Sequence, residues 1–293
     1  MIVPNQENIK VHFAGCEVMN QFYAVEKLGI NYGLYTAFPF LERTVLKSKK
    51  SPLMPCHLKG LEYEIPKYIS SKLNHTIQDS GLFTLMFGSH KGQKDDKLMD
   101  AWYNGLVEFT LKNNNHATCV EVDCQKILGV QKAWEYRERF KKDIPNRIIN
   151  VFHKEDGQKG LDRLIEFSDY IAISVPELRF LGQKKNVFEI ANYIKNKKPN
   201  IDIHLLGCTE LKILKELSFC SSADSTTYIG GKRYGYIKGK HIKNIKKDEI
   251  LKIVPKDIYD FINKWNNEQN TNFLCLSIYY LNKEYNKYAG NQD

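Results

Sequence analysis

Ala117-Thr118-Cys119-Val120-Glu121-Val122, closing on Asp123, opens the stretch whose reading decides the fold. A short run rich in β-branched residues and bounded by a polar residue reads as a strand. A helix from Gln125 to Lys142 follows, and the same alternation then recurs without a break. Arg147 to Phe152 reads as a strand ending at His153, before a helix from Gly160 to Ser168. Tyr170 to Ile173 ends at Ser174, before a helix from Asn186 to Lys197. Ile201 to Leu206 ends at Gly207, before a helix from Glu210 to Leu217, and Cys220 to Ala223 ends at Asp224. Connections of this length suit parallel strands joined by helical crossovers.

Toward the N terminus the pattern extends. Val11-His12-Phe13-Ala14-Gly15 reads as a buried strand, Glu17 to Leu28 as an amphipathic helix and Asn31 to Phe38 as a second strand. Leu41 to Lys50 and Leu61 to Leu73 read as helices, with Ser51-Pro52 and Pro55 breaking the chain between them. A strand over Thr76 to Gln78 then delivers Asp79-Ser80-Gly81-Leu82-Phe83. A lysine- and glycine-rich loop, Ser89 to Lys94, precedes a helix from Asp95 to Leu111. Eight strand–helix alternations predict a (β/α)8 TIM barrel, not an open doubly wound sheet. The glycine fingerprint of a dinucleotide site is also missing, since Gly15 stands alone before Cys16.

The barrel is expected to occupy residues 1–228. Beyond it, 229–293 changes character. Gly230-Gly231-Lys232-Arg233-Tyr234-Gly235-Tyr236, continued by Lys238, Lys240, His241, Lys243, Lys246 and Lys247, forms a basic segment with interleaved tyrosines. Helices predicted over Ile253 to Trp265 and Phe273 to Tyr288 would pack on the barrel.

Composition narrows the function classes. The chain has 293 residues, 42% hydrophobic and 12% aromatic, enough to fill a large core. No run of 18 apolar residues exists, so no membrane partner is expected, and the polar start from Met1 to Lys10 lacks a secretory pattern. Seven cysteines without a Cys-x-x-Cys fit reduced thiols and a cytoplasmic setting. Lys and Arg outnumber Asp and Glu by 43 to 34, a formal charge of +9, which favours a polyanionic partner such as nucleic acid.

A barrel of this type carries its site at the carboxyl ends of the strands. Asp79, Asp123, His153, Ser174 with Glu177, Gly207 and Asp224 are placed there by this reading. Asp79 and Asp224 form a candidate catalytic carboxylate pair. Such a pair suits chemistry at an anomeric carbon: one carboxylate attacks, and the other moves a proton to and from the leaving and incoming groups. The residues alone leave hydrolysis and base exchange equally open.

Three of these segments, in order, resemble the tRNA-guanine transglycosylase superfamily, most closely its phage and bacterial relatives that insert 7-deazaguanines into DNA. Asp79-Ser80-Gly81-Leu82-Phe83 is similar to the family's Asp-Ser-Gly-Gly-aromatic signature. His204-Leu205-Leu206-Gly207 is similar to its His-Leu-Met-Gly, and Ser221-Ser222-Ala223-Asp224-Ser225 falls where the family has its nucleophilic aspartate. Weaker likenesses lie at Val122-Asp123, Val151-Phe152-His153 and Ser174-Val175-Pro176-Glu177. The resemblance covers roughly residues 76–225.

It implies a fold, a reaction and roles. Asp224 would attack C1′ of a guanosine unit, and Asp79 would act as general acid and base at the base ring. Asp123 would accept hydrogen bonds from the guanine-like edge, with Ser80, Gly81, His153 and Gly207 around it. Phe83 and Leu206 would sandwich the ring. The backbone at Ala172 and Ile173, with Glu177, would meet the substituent of the 7-deazaguanine. Lys232, Arg233, Lys238 and Lys240 would track the nucleic-acid backbone. DNA is favoured over tRNA as partner, with a free 7-deazaguanine as second substrate, no cofactor, and a protein partner for DNA opening as one further expectation. If phage-encoded, the chain would work in the host cytoplasm. Base exchange on tRNA and a degenerate nucleic-acid-binding barrel are the alternatives.

The chain departs from the family in three ways. Leu82 replaces the second glycine, His153 stands where glutamine is usual, and the Cys-x-Cys-x-x-Cys zinc site has no counterpart, Cys275 being alone in the C-terminal region. No bound metal is therefore expected.

Overall fold

A computed structural model describes residues 9–47, 64–87, 95–113, 116–208, 210–237, 240–241, 247–265 and 269–286. Strand β1 (Lys10–Ala14) leads through helix α1 (Met19–Lys27) to β2 (Tyr32–Thr36). Helices α2 (Phe38–Thr44) and α3 (Glu64–Lys72) precede β3 (His75–Asp79), and α4 (Leu82–Phe87) and α5 (Asp96–Asn113) precede β4 (Thr118–Val120). Helix α6 (Gln125–Asp143), broken at Gly129, leads to β5 (Ile148–Phe152), and α7 (Gly157–Phe167) leads to β6 (Tyr170–Ser174). Helices α8 (Val175–Phe180) and α9 (Asn186–Lys197), strand β7 (Asp202–Leu206), helix α10 (Leu211–Glu216) and strand β8 (Ser222–Ser225) complete the alternation.

The eight strands form a closed barrel in chain order, every neighbouring pair parallel, and β8 closes on β1 with His12 opposite Asp224. The (β/α)8 fold expected from the alternation is thus the one observed. Strand periodicity sorts the side chains into two cores. Ala14, Leu34, Ile77, Val120, Ile149, Val151, Tyr170 and Ala172 fill the barrel interior with Leu206 against them. Phe13, Cys119, Phe152, Ile173, Leu205 and Ala223 point outward into the helix layer. Burying one such Ile or Leu contributes roughly 1.5–3 kcal/mol, so the outer layer dominates cohesion.

After β8 come α11 (Ile229–Tyr234), a short antiparallel pair β9 (Tyr236–Ile237) and β10 (Lys240–His241), and helices α12 (Lys247–Leu251), α13 (Lys256–Trp265) and α14 (Gln269–Asn286). Helix α14 packs on α1 and α11. A Cβ on Gly231 would lie 2.7 Å from Ser277 Cβ, so glycine lets α11 and α14 approach. The Tyr285 ring meets Phe13 edge-on. Among the described residues no helix is long and apolar enough to cross a membrane. The described cysteines are all buried and unpaired.

Three sequence expectations need correction. Helix α2 begins at Phe38, not Leu41, because Pro39 serves a helix's first turn, where no N–H is needed. A helix, α8, was not expected between Ser174 and Asn186, although Pro176 marks its first turn too. The strand read over Ala117 to Val122 is shorter, β4 ending at Val120, and Glu121, one residue beyond it, is 1% exposed. Arg137 on α6 neutralises it through Nε and Nη2 at 2.7–3.0 Å, and Asn150 Nδ2 donates to it as well. A buried carboxylate survives only when paired in this way. The loop 89–94 lies outside the described residues.

Candidate active site

The carboxyl ends of the strands bring Asp79, Asp123, His153, Glu177, Leu206, Gly207 and Asp224 to one rim. Asp79 is the last residue of β3 and Asp224 lies in β8; both face the barrel axis, two residues beyond the inward Ile77 and opposite the inward His12. Their local geometry rests on two glycines. Gly81 has φ +75°, and a Cβ there would lie 2.7 Å from Phe38, so only glycine fits. Its N–H donates to Asp79 Oδ2 at 3.0 Å, and Trp102 Nε1 donates to the Ser80 carbonyl at 3.1 Å, fixing the turn from below. Gly207 has φ +65°, with Pro176 Cγ 2.7 Å from where its Cβ would be, and its N–H donates to Asp224 Oδ1 at 2.8 Å. Leu82, the departure from a second glycine, turns its side chain into the outer core, away from the rim.

Asp79 is pushed up to about 6, first by burial and then by the charges of Asp123 and, further down the order, Asp224. Asp79 therefore senses both of the other aspartates across the mouth. Glu17, in the loop after β1, joins them. It accepts a hydrogen bond from the Thr36 N–H at 3.2 Å, and burial, with a smaller push from Asp79, raises it to about 7. Sequence reasoning had assigned Glu17 to the following helix. The signal that finds it is position alone: it sits three residues past the end of β1, on the catalytic side of a barrel.

On the opposite half of the rim, charges are matched. His153 Nε2 lies 2.9 Å from Asp123 Oδ2, and Nδ1 lies 2.7 Å from Glu177 Oε2. Burial works against the imidazolium, but these two carboxylates outweigh it and push His153 up to about 10, so both ring nitrogens donate. Burial likewise opposes ionisation of Glu177, yet His153 and Lys126, whose Nζ is 3.1 Å from Oε1, hold it down at about 2. Helix α8 delivers Glu177, while a 3-10 turn over Lys154–Asp156 anchors His153, whose N–H donates to Asp156 Oδ2 at 2.9 Å. Asp123 Oδ1 makes no hydrogen bond among the described residues and remains available.

His153, Glu155 and Glu177 also place ligand atoms within 4.8 Å of one another. Glu155 is exposed, and both nitrogens of His153 are engaged, so a cation there would have to displace Asp123 or Glu177 from the ring.

The remaining expected residues fall as follows. Phe83 is exposed at the start of α4, beside the Asp79 turn, and Leu206 lines the barrel interior. Ala172 faces that interior, but the Ile173 side chain points into the helix layer, leaving only its backbone near the axis. Lys232 and Arg233 lie on α11, which follows β8 directly, and Arg233 is exposed. Lys240 is in β10, and Lys238 lies outside the described residues.

Beneath the mouth the barrel interior is unexpectedly polar. His12 Nδ1–H donates to the Lys10 carbonyl at 3.2 Å, which leaves its Nε2 to accept from His75 Nδ1 at 2.8 Å. His75 Nε2 then accepts from Thr118 Oγ1 at 2.9 Å. Burial, then neighbouring positive charge, lowers both histidines, His75 to about 4, so this chain is neutral.

No protein-family model matches the chain, and no curated protein matches it. Among solved structures, the YdjI aldolase from Escherichia coli K12 is similar over 98% of this chain and 93% of its own, with 10% sequence identity and a TM-score of 0.46. Likeness at that level carries no argument about chemistry.

Proposed function

We propose that this barrel is a base-exchange glycosyltransferase that replaces guanine in a polynucleotide, DNA in the first instance, with a free 7-deazaguanine. The observation that carries the reading is the pairing of two unlike carboxylates at one mouth. Asp224 is fixed through one oxygen, while burial and neighbouring charge raise Asp79 to about 6. An environment that raises one carboxyl group suits it to proton transfer, and hydrogen bonds that fix the other suit it to attack.

In this scheme Asp224 Oδ2 attacks C1′ of the guanosine unit as the C1′–N9 bond breaks, and the Asp79 carboxyl gives its proton to the departing base. The sugar stays attached to Asp224 as an ester. An incoming 7-deazaguanine then attacks C1′ through N9, its proton passes to the Asp79 carboxylate, and Asp224 is released. One glycosidic bond replaces another, so no redox cofactor or nucleotide energy source is required. Asp123 Oδ1 accepts from the guanine-like edge, with Asp123 held at its other oxygen by His153. Exposed Phe83 and inward Leu206 supply apolar surface for the ring. Arg233, Tyr234 and Tyr236 are exposed beside the β8 end of the barrel and suit a phosphate backbone and an unstacked base. In duplex DNA the target base must leave the stack to reach such a mouth.

The test is incorporation of labelled guanine and 7-deazaguanine bases into duplex DNA, single-stranded DNA and unmodified tRNA, side by side. Label is expected in DNA, falling at least about 1,000-fold in Asp224→Asn while nucleic-acid affinity stays within about threefold. Label in tRNA alone would overturn the DNA substrate, and label in neither would overturn base exchange.

A further inference from the structure

We propose that His204 is the positioning residue of Asp224, an inference that rests on the base-exchange reading for its kinetic consequence but not for its geometry. His204 lies in β7, fully buried beneath the mouth, so it cannot touch a substrate. Its Nε2 is 3.0 Å from Asp224 Oδ1, the same oxygen that accepts the Gly207 N–H at 2.8 Å. An oxygen already accepting one hydrogen bond is a poor site for a proton, so Nε2–H is the donor. Oδ1 is thereby occupied from two directions, and Oδ2 makes no hydrogen bond among the described residues. The nucleophile is left with one free oxygen of fixed direction.

The ring is itself held. Nδ1 lies 2.5 Å from Ser222 Oγ, and Ser222 Oγ lies 2.5 Å from the Tyr170 hydroxyl. With Nε2 protonated in the neutral tautomer, Ser222 donates to Nδ1 and Tyr170 donates to Ser222, so every polar atom of the chain is satisfied. Ser222 and Asp224 are inward neighbours on β8, and Ser222 sits opposite His204 across the β7–β8 ladder. Sheet register, not a flexible loop, therefore sets the direction of the attacking oxygen. A group preorganised in this way raises the rate of the chemical step without strengthening substrate binding.

Two readouts test the proposal. In protein labelled with 15N-histidine, His204 is expected to carry its proton on Nε2, protected from solvent exchange, with the resonance displaced in Asp224→Asn. A bare Nε2, or an Nε2–H unmoved by Asp224→Asn, overturns the proposal whether or not base exchange is ever detected. In the active protein, His204→Leu is expected to lower kcat about 100-fold with KM for nucleic acid within about twofold of wild type. His204→Gln, whose amide nitrogen reaches toward the same oxygen, should recover about tenfold of that loss. Equal losses in the two variants at equal folded fraction, judged by near-UV circular dichroism, would reduce His204 to a core residue. Absence of turnover in the wild type would instead remove the base-exchange reading, leaving the labelled-histidine result to decide the geometry.

Discussion

The two halves of the barrel mouth carry similar acids in opposite states. On the β4–β6 side, Asp123 and Glu177 flank the charged imidazole of His153, Lys126 adds a second cation beside Glu177, and Glu177 is held down at about 2. On the β1–β3 side, Glu17 and Asp79 have no cation among the described residues within ion-pair reach, and burial moves both toward neutrality. The carboxyl group is the same chemistry in both places. What differs is whether a positive partner compensates desolvation, and that decides which acids are raised toward neutral pH and which are held down.

The largest perturbation of this contrast is His153→Leu. It strips the compensating charge from two buried carboxylates and should destabilise the fold by about 3–5 kcal/mol at pH 7, read from urea unfolding. A loss below about 1 kcal/mol would mean that the two acids do not depend on the imidazolium.

A smaller effect, of opposite sign, belongs to the other half. Glu17 and Asp79 have folded values raised above the usual 4.5 and 3.8, to about 7 and 6. Their contribution to stability is therefore complete below those ordinary values and is lost as pH rises through about 6 to 7. Glu17→Gln removes the buried charge that would otherwise form. It should stabilise the protein at pH 8 by about 1–2 kcal/mol and leave pH 4 unchanged, measured as unfolding midpoints at both pH values. Equal effects at the two pH values would show that packing, not ionisation, separates the variants.

The smallest effect tests the rim of the compensated half. Lys126 is partly solvated, so Lys126→Met should cost only about 0.5 kcal/mol at low salt and less at high salt. A cost near that of His153→Leu would shift the compensation from the imidazole to the lysine.

How much of this was legible follows from range of interaction. Asp79, Asp123, His153 and Asp224 were found from sequence because strand periodicity and chain alternation are local, and a barrel turns each strand end toward one face. The buried pairing of Glu121 was missed because nothing local marks its partner until Arg137, sixteen residues on, is folded against it. Glu177 was found, but its helix α8 was not. Glu17 was hidden inside a predicted helix, and His204 was given no role because its partners on β8 and β6 are distant in sequence.

By itself, then, the sequence determined the closed alternating barrel and the face on which acids gather, since both follow from short-range pattern and the twist of parallel strands. Only the tertiary structure decided which acids are charged and which oxygen of Asp224 is free. Protonation depends on burial and on cations brought in from other strands, and direction depends on the register between β7 and β8. Neither exists until the barrel has closed.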